Sequence, residues 1–441
     1  MSSILTNNSA MVALKTLQSI NNDLAKTQNM ISTGKRIGSA ADNAAIWSIS
    51  KTMEADVSGF EAISDSLSLG QSTVAVASNA SEAVTETLEE MKKLIVASQE
   101  ENVDRAKIQE DVESLRDQIS GIVNSAQFNG LNLLSNREAT AGSSNTSVLS
   151  SLNRASDGSV TAGNIDVAKQ DLGTDASVLD GTAGASFTAD VGASAVTLNA
   201  TQSVSIDIGA EIAADGTDAG YGYALNIFGV DADGSTFTPA TYNSGAVAAA
   251  TANTDMPNMD VKYVARDGDT ATDIAQGLFE SAKGWMASNQ LDSDVFNVTV
   301  SGDTLTFTST VTDGTDTIAV SLSSQDTSVT NTIGGGLEAL NAIDVSTTEG
   351  AEASLDLIEG FIQKGINGSA SFGTTSRRIE IQNDFVGNLM DSLKSGIGAL
   401  TDTNMEEASA KLQALQVQQQ LGVQALSIAN QAPQTILALF R

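Results

Sequence analysis

Histidine and cysteine are both absent from the 441-residue chain. Without histidine the protein lacks the commonest general base, proton shuttle and metal ligand. Without cysteine it can build neither a disulfide framework nor a thiolate metal site. Aromatic residues make up only 4%, and none of the three prolines precedes Pro239. Apolar content still reaches 41%, so it rests on Ala, Leu, Ile and Val. That mixture favours helices with small-residue faces over base-stacking surfaces. Positive charge is scarce as well: 22 Lys and Arg stand against 54 Asp and Glu, a net charge of −32. Phosphate contacts need clustered Lys and Arg, so no nucleic-acid partner is expected. Self-repulsion on this scale instead favours a solvated surface. No apolar run approaches the roughly 20 residues that cross a bilayer, and no membrane association is expected. The opening "MSSILTNNSAMVALKTLQSINN" has no basic stretch followed by an apolar run and a small-residue cleavage site. A cleaved secretory signal is therefore not expected.

Three regions differ in pattern. From about residue 4 to 135 the chain reads as helix. Ala10, Leu14, Leu17, Leu24 and Ile31 recur in steps of three and four, with polar Asn21 and Gln28 completing the stripe, a spacing that turns one face toward a partner helix. Val84, Leu88, Met91 and Ile95, then Ile108, Val112, Leu115, Ile119 and Ile122, repeat it. "NSAQFNGLNLLSN" (124–136) breaks the pattern with an Asn-Gly turn signal. Between about 140 and 340, Ser, Thr, Gly, Ala and Asp dominate, and the alternating runs "SVSIDI", "FNVTVSGDTLTFTSTV" and "TIAVSLSS" predict β-hairpins. Residues 141–340 hold 25 acidic against 5 basic side chains, so this middle is the charged, outward-facing part. Helix returns from about 346 through Ala353, Leu357, Phe361, Ile379, Phe385, Val386, Leu389, Leu393 and Ile397. The last helix begins at Thr401, Asp402 or Thr403 as N-cap, with Glu406 and Glu407 suiting the dipole of its first turn.

The expected fold is mostly α with a β-rich central insertion. A discontinuous long-helix bundle forms from the two chain ends, and one or more β domains lie outside it. On the final helix, Ala408, Leu412, Leu415, Leu426 and Ala429 make one stripe and Ala410, Ala414, Val417, Leu421 and Ile428 another. Two stripes imply contact on more than one side. The chain also carries Ile436, Leu437, Leu439 and Phe440 almost to its terminal carboxylate. Lone helices are marginal in water, and burying each Leu or Ile contributes roughly 1.5–3 kcal/mol. The two ends are therefore expected to pack on each other and then on copies of the chain. The predicted assembly interface comprises Leu14, Leu17, Leu24, Ile31, Leu412, Leu415, Val417, Leu421, Leu426, Ile428, Ile436, Leu439 and Phe440.

The stretches "ISTGKRIGSAADNAAIWSIS" (31–50), "QFNGLNLL" (127–134) and "GVQALSIANQAPQTILALFR" (422–441) together resemble bacterial flagellins, in particular those of alphaproteobacteria. The resemblance covers about 1–136 and 350–441. It implies a coiled-coil inner-core domain from 1–45 and 400–441, a helical bundle with a β-hairpin from 46–139 and 346–399, and a variable surface-exposed region at 140–345. It further implies self-assembly into the motility filament, with an inter-layer connector at Ser32, Gly34, Lys35, Arg36, Asp42 and Asn43. The implied partners are other copies, an export chaperone, a filament cap and hook-junction proteins, and the implied location is the extracellular flagellum, reached by type III export. Ends that order on incorporation imply a free monomer with mobile termini. Similar helical ends occur in hook–filament junction proteins, the nearer alternative, and an acidic secreted adhesin is the more distant one.

Several short motifs carry less. "STGK" (32–35) matches a Ser-x-x-Lys pattern but lacks every supporting motif, and no enzyme activity, cofactor or metal is expected. "DADG" (231–234) and "RDGDTATD" (266–273) are incomplete calcium loops and read as solvated acidic turns. Trp47 and Phe60 read as packing residues. Glu89, Glu90, Lys93 and Leu94 occupy the place of the segment that the Toll-like receptor reads in many flagellins. There the resemblance sets an Arg where this chain has Glu90 and a Glu where it has Lys93. Two reversals at a charge-dependent surface imply weak or absent receptor recognition.

Overall fold

The computed structural model describes residues 7–155, 157, 159–180, 187–189, 196–198, 203–212, 219–230, 241–243, 259–289, 291, 296–309, 317–325 and 331–439. In chain order the helices α1 (Asn8–Thr33), α2 (Ala44–Ser98) and α3 (Arg105–Ser125) lead into the strands β1 (Gln127–Phe128), β2 (Leu131–Asn132), β3 (Asn145–Arg154) and β4 (Val160–Ala168). The middle holds β5 (Phe187–Ala189), β6 (Val196–Leu198), β7 (Ser203–Asp207), the short α4 (Ile208–Ile212), β8 (Gly222–Val230), β9 (Thr241–Asn243) and β10 (Lys262–Val264). It closes with α5 (Ala271–Ser288), β11 (Phe296–Ser301), β12 (Thr304–Ser309) and β13 (Thr317–Gln325). A 3-10 turn (Glu338–Ala342) precedes the long helices α6 (Thr348–Thr401) and α7 (Met405–Leu439). The architecture is mostly α with a β-containing centre, as the patterning predicts. Contacts divide the chain into one unit of residues 1–65, 151–162 and 383–441, and a second of 66–150 and 163–382.

In the first unit α1 and α7 run antiparallel and pack along their length. Arg154 Nη2 pairs with Asp56 at 2.5 Å, fastening the end of β3 to α2, and Lys394 pairs with Glu61 at 3.2 Å. Trp47 and Phe60 are half-buried on α2. Neither sits in the buried core of this chain, because the helix presents them at its flank.

In the second unit Leu67, Val74, Ser81, Val84, Leu88, Met91, Ile95 and Ser98 of α2 are all buried. They follow the three-and-four spacing of a helix with one committed face, which confirms the periodicity read at 84–95. That face meets α6 closely at Gly365, where an added Cβ would stand 2.4 Å from Thr85 Oγ1, and Ser81 Oγ donates to the Gly365 carbonyl at 3.2 Å. Val112, Ile119 and Val123 of α3 are buried while Ile108, Leu115 and Ile122 are half-buried. The Asn-Gly signal is a two-residue hairpin turn, with Asn129 at φ 51° and Gly130 at φ 82°. Both central residues need positive φ in such a turn, which is why Asn-Gly serves.

The predicted hairpins form. β11 and β12 pair from Phe296↔Ser309 to Ser301↔Thr304 around Gly302, and β7 joins them through Leu305↔Ile206. A second antiparallel sheet follows the path β10-β8-β13-β5, with β6 pairing β13 and β9 pairing β8. The centre is not purely β. α5 lays Ile274, Leu278, Ala282 and Met286 against Leu225, Ile227, Phe296 and Phe307 in one buried cluster. Its start is marked by a capping box, Thr270 and Asp273 each bonding the other's backbone, a signal that is present in the sequence as Thr-x-x-Asp.

Candidate functional site

The packed faces of the terminal helices are fixed by residue spacing. On α1, Ala10, Ala13, Leu17, Ile20, Leu24, Thr27 and Ile31 are shielded. On α7 the shielded set is Ala408, Leu412, Leu415, Gln419, Gly422, Leu426 and Ala429. Both follow alternating steps of three and four, the seam of a two-helix coil. Gly422 admits Leu17, whose Cδ1 would lie 3.0 Å from an added Cβ. Asn7 Nδ2 donates to the Ala429 carbonyl at 2.8 Å, and Gln419 Nε2 donates to Asn21 Oδ1 at 2.7 Å at the rim.

The α1 stripe departs from expectation in register. Leu17, Leu24 and Ile31 lie on or beside the seam, but Ala13, Ile20 and Thr27 complete it in place of Leu14, Asn21 and Gln28. The two choices share every seventh residue and differ by one position between. Only the partner helix decides which flank faces inward. Leu14 is 56% exposed, alongside Met11 and Val12. On α7 the second predicted stripe is wholly exposed: Val417 at 55%, Leu421 at 58% and Ile428 at 69%, with Ala410 and Ala414 exposed two turns and one turn before them. Ile436 and Leu439 continue the helix, and Phe440 lies outside the described residues.

Between α1 and α2 the chain turns through residues 34–43. Gly34 ends α1 in the left-handed region at φ 71°, as helix C-termini commonly require. Lys35 then pairs with Asp402 in an isolated antiparallel backbone β-bridge. Arg36 N donates to the Thr401 carbonyl at 2.6 Å, Thr403 N to the Gly34 carbonyl at 3.0 Å, and Arg36 Nη2 to the Leu400 carbonyl at 3.0 Å. The chain's outgoing and returning connections are thereby stitched together by backbone. Asp42 Oδ2 accepts from Gly38 N, Ser39 N and Ser39 Oγ at 3.0–3.2 Å. These bonds, the Ser39 hydroxyl foremost, hold its carboxyl below the usual carboxylate range. Asn43 Oδ1 caps α2 through Ala45 N and Ile46 N, both at 3.2 Å. Ser32 stays exposed on the last turn of α1. The Lys35 ammonium points to Glu54 at 3.8 Å, so the Ser-x-x-Lys pair makes no nucleophile–base contact. Glu54 is held below its ordinary pKa, chiefly by its 2.5 Å bond from Lys51.

The cap of α7 is Asn404, a correction to the expected Thr401, Asp402 or Thr403. Asn404 Oδ1 accepts from Glu406 N at 3.1 Å and Glu407 N at 3.4 Å. Thr401 instead closes α6, its Oγ1 donating to the Ile397 carbonyl at 2.8 Å. Phe385 is exposed on α6, while Val386 beside it is buried.

In the second unit Glu89, Glu90 and Lys93 project from α2 and Leu94 is half-buried, above buried Leu88, Met91 and Ile95. "DADG" (231–234) lies outside the described residues. The carboxylates of "RDGDTATD" are occupied structurally. Asp267 accepts from Gly142 N and Ser144 N, Asp269 from Tyr263 Oη and Arg266 N, and Asp273 from Thr270 N and Oγ1. They are latches rather than solvated turns. A buried ionic knot lies beyond what the sequence pattern signals. The Asp171 side chain, 3% exposed, lies 3.6 Å from Arg137 Nε and 4.0 Å from Arg266 Nε. It also accepts from Asn136 N, Gly173 N and Gly336 N. The run Gly334–Gly336 is the only local hint, since an added Cβ on Gly336 would fall 1.9 Å from the Asp171 carbonyl oxygen. Among the described residues no helix is long and apolar enough to cross a membrane.

The sequence matches known proteins at both ends. The bacterial flagellin N-terminal helical region matches residues 4–139, and the bacterial flagellin C-terminal helical region matches 355–440. Flagellin A of Rhizobium meliloti is 36% identical over 443 residues, covering 100% of both chains. Flagellin B of the same organism is 34% identical over 446 residues, again covering 100% of both. A solved flagellar hook associated protein-3 from Legionella pneumophila aligns at TM-score 0.35 and 10% identity, over 79% of this chain and 98% of that one, too distant to bear on the reading. The chain belongs to the bacterial flagellin family.

Proposed function

We propose that this flagellin polymerises by adding copies of itself onto the outward stripes of its paired terminal helices. The observation that carries this reading is the row Val417, Leu421 and Ile428, each more than half exposed on a helix whose other face is already satisfied. Leu14 extends the unsatisfied surface onto α1. A patch of large apolar side chains on a chain of net charge −32 needs a partner. A head-to-tail contact between identical copies that does not close grows into an open helical polymer.

On this reading residues 1–45 and 400–441 form the inner layer of the filament, 46–139 and 346–399 surround it, and 140–345 faces outward. Ser32, Gly34, Lys35, Arg36, Asp42 and Asn43 form the connector between layers. The terminal helices gain their full order on incorporation. Hydrogen exchange of monomer and filament tests this, and strong protection of residues 5–30 and 405–435 in the free monomer would contradict it. The protein acts as structure and not as an enzyme. It leaves the cell through the flagellar export apparatus, guarded by a chaperone on α7 and polymerised beneath a cap above hook-junction proteins. Glu90 and Lys93 make it a weak or silent ligand for the Toll-like receptor.

A further inference from the structure

The chain contains two Asn-Gly pairs, Asn129–Gly130 and Asn367–Gly368, in opposite backbone settings. Asn129 and Gly130 are the two exposed loop residues of the β1–β2 hairpin, whose pairing is Phe128↔Leu131 and Gln127↔Asn132. In a loop of this size the ladder bonds belong to the flanking residues, so the Gly130 N–H is left to solvent. Asn367–Gly368 lies inside α6, where each N–H is taken by a carbonyl one turn earlier. Its Oδ1 is also engaged, accepting from Gln363 Nε2 at 3.0 Å.

We propose that Asn129 is a site of spontaneous deamidation in the folded protein, whereas Asn367, in the same dipeptide, is held inert by its helix. The Gly130 amide gives its proton to base, and its nitrogen attacks Asn129 Cγ. A new C–N bond closes a five-membered succinimide and ammonia leaves. Water then opens the ring at either carbonyl, yielding Asp or isoaspartate, with no change of oxidation state. Gly130 lacks the side chain that would hinder closure. The isoaspartate product adds a main-chain methylene to a two-residue loop. That unpairs β1 from β2 beside Leu133 and Leu134, which are 2% and 0% exposed. The product therefore marks an aged subunit with a loosened hairpin.

The test is peptide mapping of the full-length monomer after incubation at mildly alkaline pH, with isoaspartate distinguished from aspartate by fragmentation. The Asn129 peptide should convert at least roughly tenfold faster than the Asn367 peptide, because the helical amide reacts only after local opening. Its rate should rise with pH. In guanidinium the two peptides should convert at similar rates. Equal conversion in the folded chain, or no conversion at Asn129, overturns the proposal. A preference for Asn129 that persists in guanidinium also overturns it, since flanking residues rather than the fold would then set the rate.

Discussion

Gly422 and Leu17 meet across the α1–α7 seam so closely that a methyl on the glycine would sit 3.0 Å from Leu17 Cδ1. Leu17 is a flexible side chain and can shift by a few tenths of an ångström. Replacing a helical glycine by alanine gains about 1 kcal/mol of helix propensity. Gly422→Ala is therefore expected to be close to neutral in thermal melting. Gly422→Val, with two further carbons against Leu17 and Ile20, should cost about 1–3 kcal/mol through overpacking. Far-UV circular dichroism across a melt, read alongside filament yield, separates the two variants.

Asp42 governs the connector through its charged form. Its carboxyl is held below the ordinary 3.8 by the Ser39 hydroxyl first. Stability from such a group is complete above the unfolded value and is lost as pH falls through the lowered one. Wild type should begin to lose order in the 38–42 turn as pH falls below roughly 4 and on through the lowered value, whereas Asp42→Ala should show that loosened turn already at neutral pH and little further acid dependence there. Limited proteolysis at residues 34–43, followed against pH, reports the difference.

The Asp171 knot joins segments distant in the chain, with Arg266 bonding the Gly334 carbonyl at 3.0 Å while lying beside Asp171. Removing one member strands buried charge and backbone donors. Asp171→Ala should destabilise the second unit by about 3–5 kcal/mol. Urea unfolding followed by Trp285 fluorescence is the measurement, and a midpoint equal to wild type would contradict the assignment.

Glu90 and Lys93 are exposed on α2, so exchanging them perturbs no core. The double variant Glu90→Arg, Lys93→Glu should raise the response of receptor-reporter cells above that of wild type. A strong wild-type response would refute the charge argument.

How much of this was legible in the residues depended on what sets each feature. Heptad spacing and the Asn-Gly turn are local, so α2, α3, the hairpin and the central strands follow from sequence. The α1 seam is not local. Leu14 and Ala13 sit one position apart on the same helix, and only α7 chooses between them. Asn404 does not stand out as a cap in the sequence because Thr401, Asp402 and Thr403 also have capping side chains, and the choice is set by the Arg36 and Ile37 amides that hold the Thr401 carbonyl. The Asp171–Arg266 pair depends on segments far apart in sequence, for which a single chain offers no periodic signal. α5 had its Thr270-x-x-Asp273 signature in plain view, but it was masked by a strand-rich neighbourhood.

On the proposed assembly, the outward stripe of α7 joins copies while the inward stripe holds α1. Electron microscopy of the double variant Leu421→Asp, Ile428→Asp under polymerising conditions tests it most directly. The expected result is a monomer whose melting matches wild type and which forms no filaments. Filaments of normal length and number from this variant would contradict it.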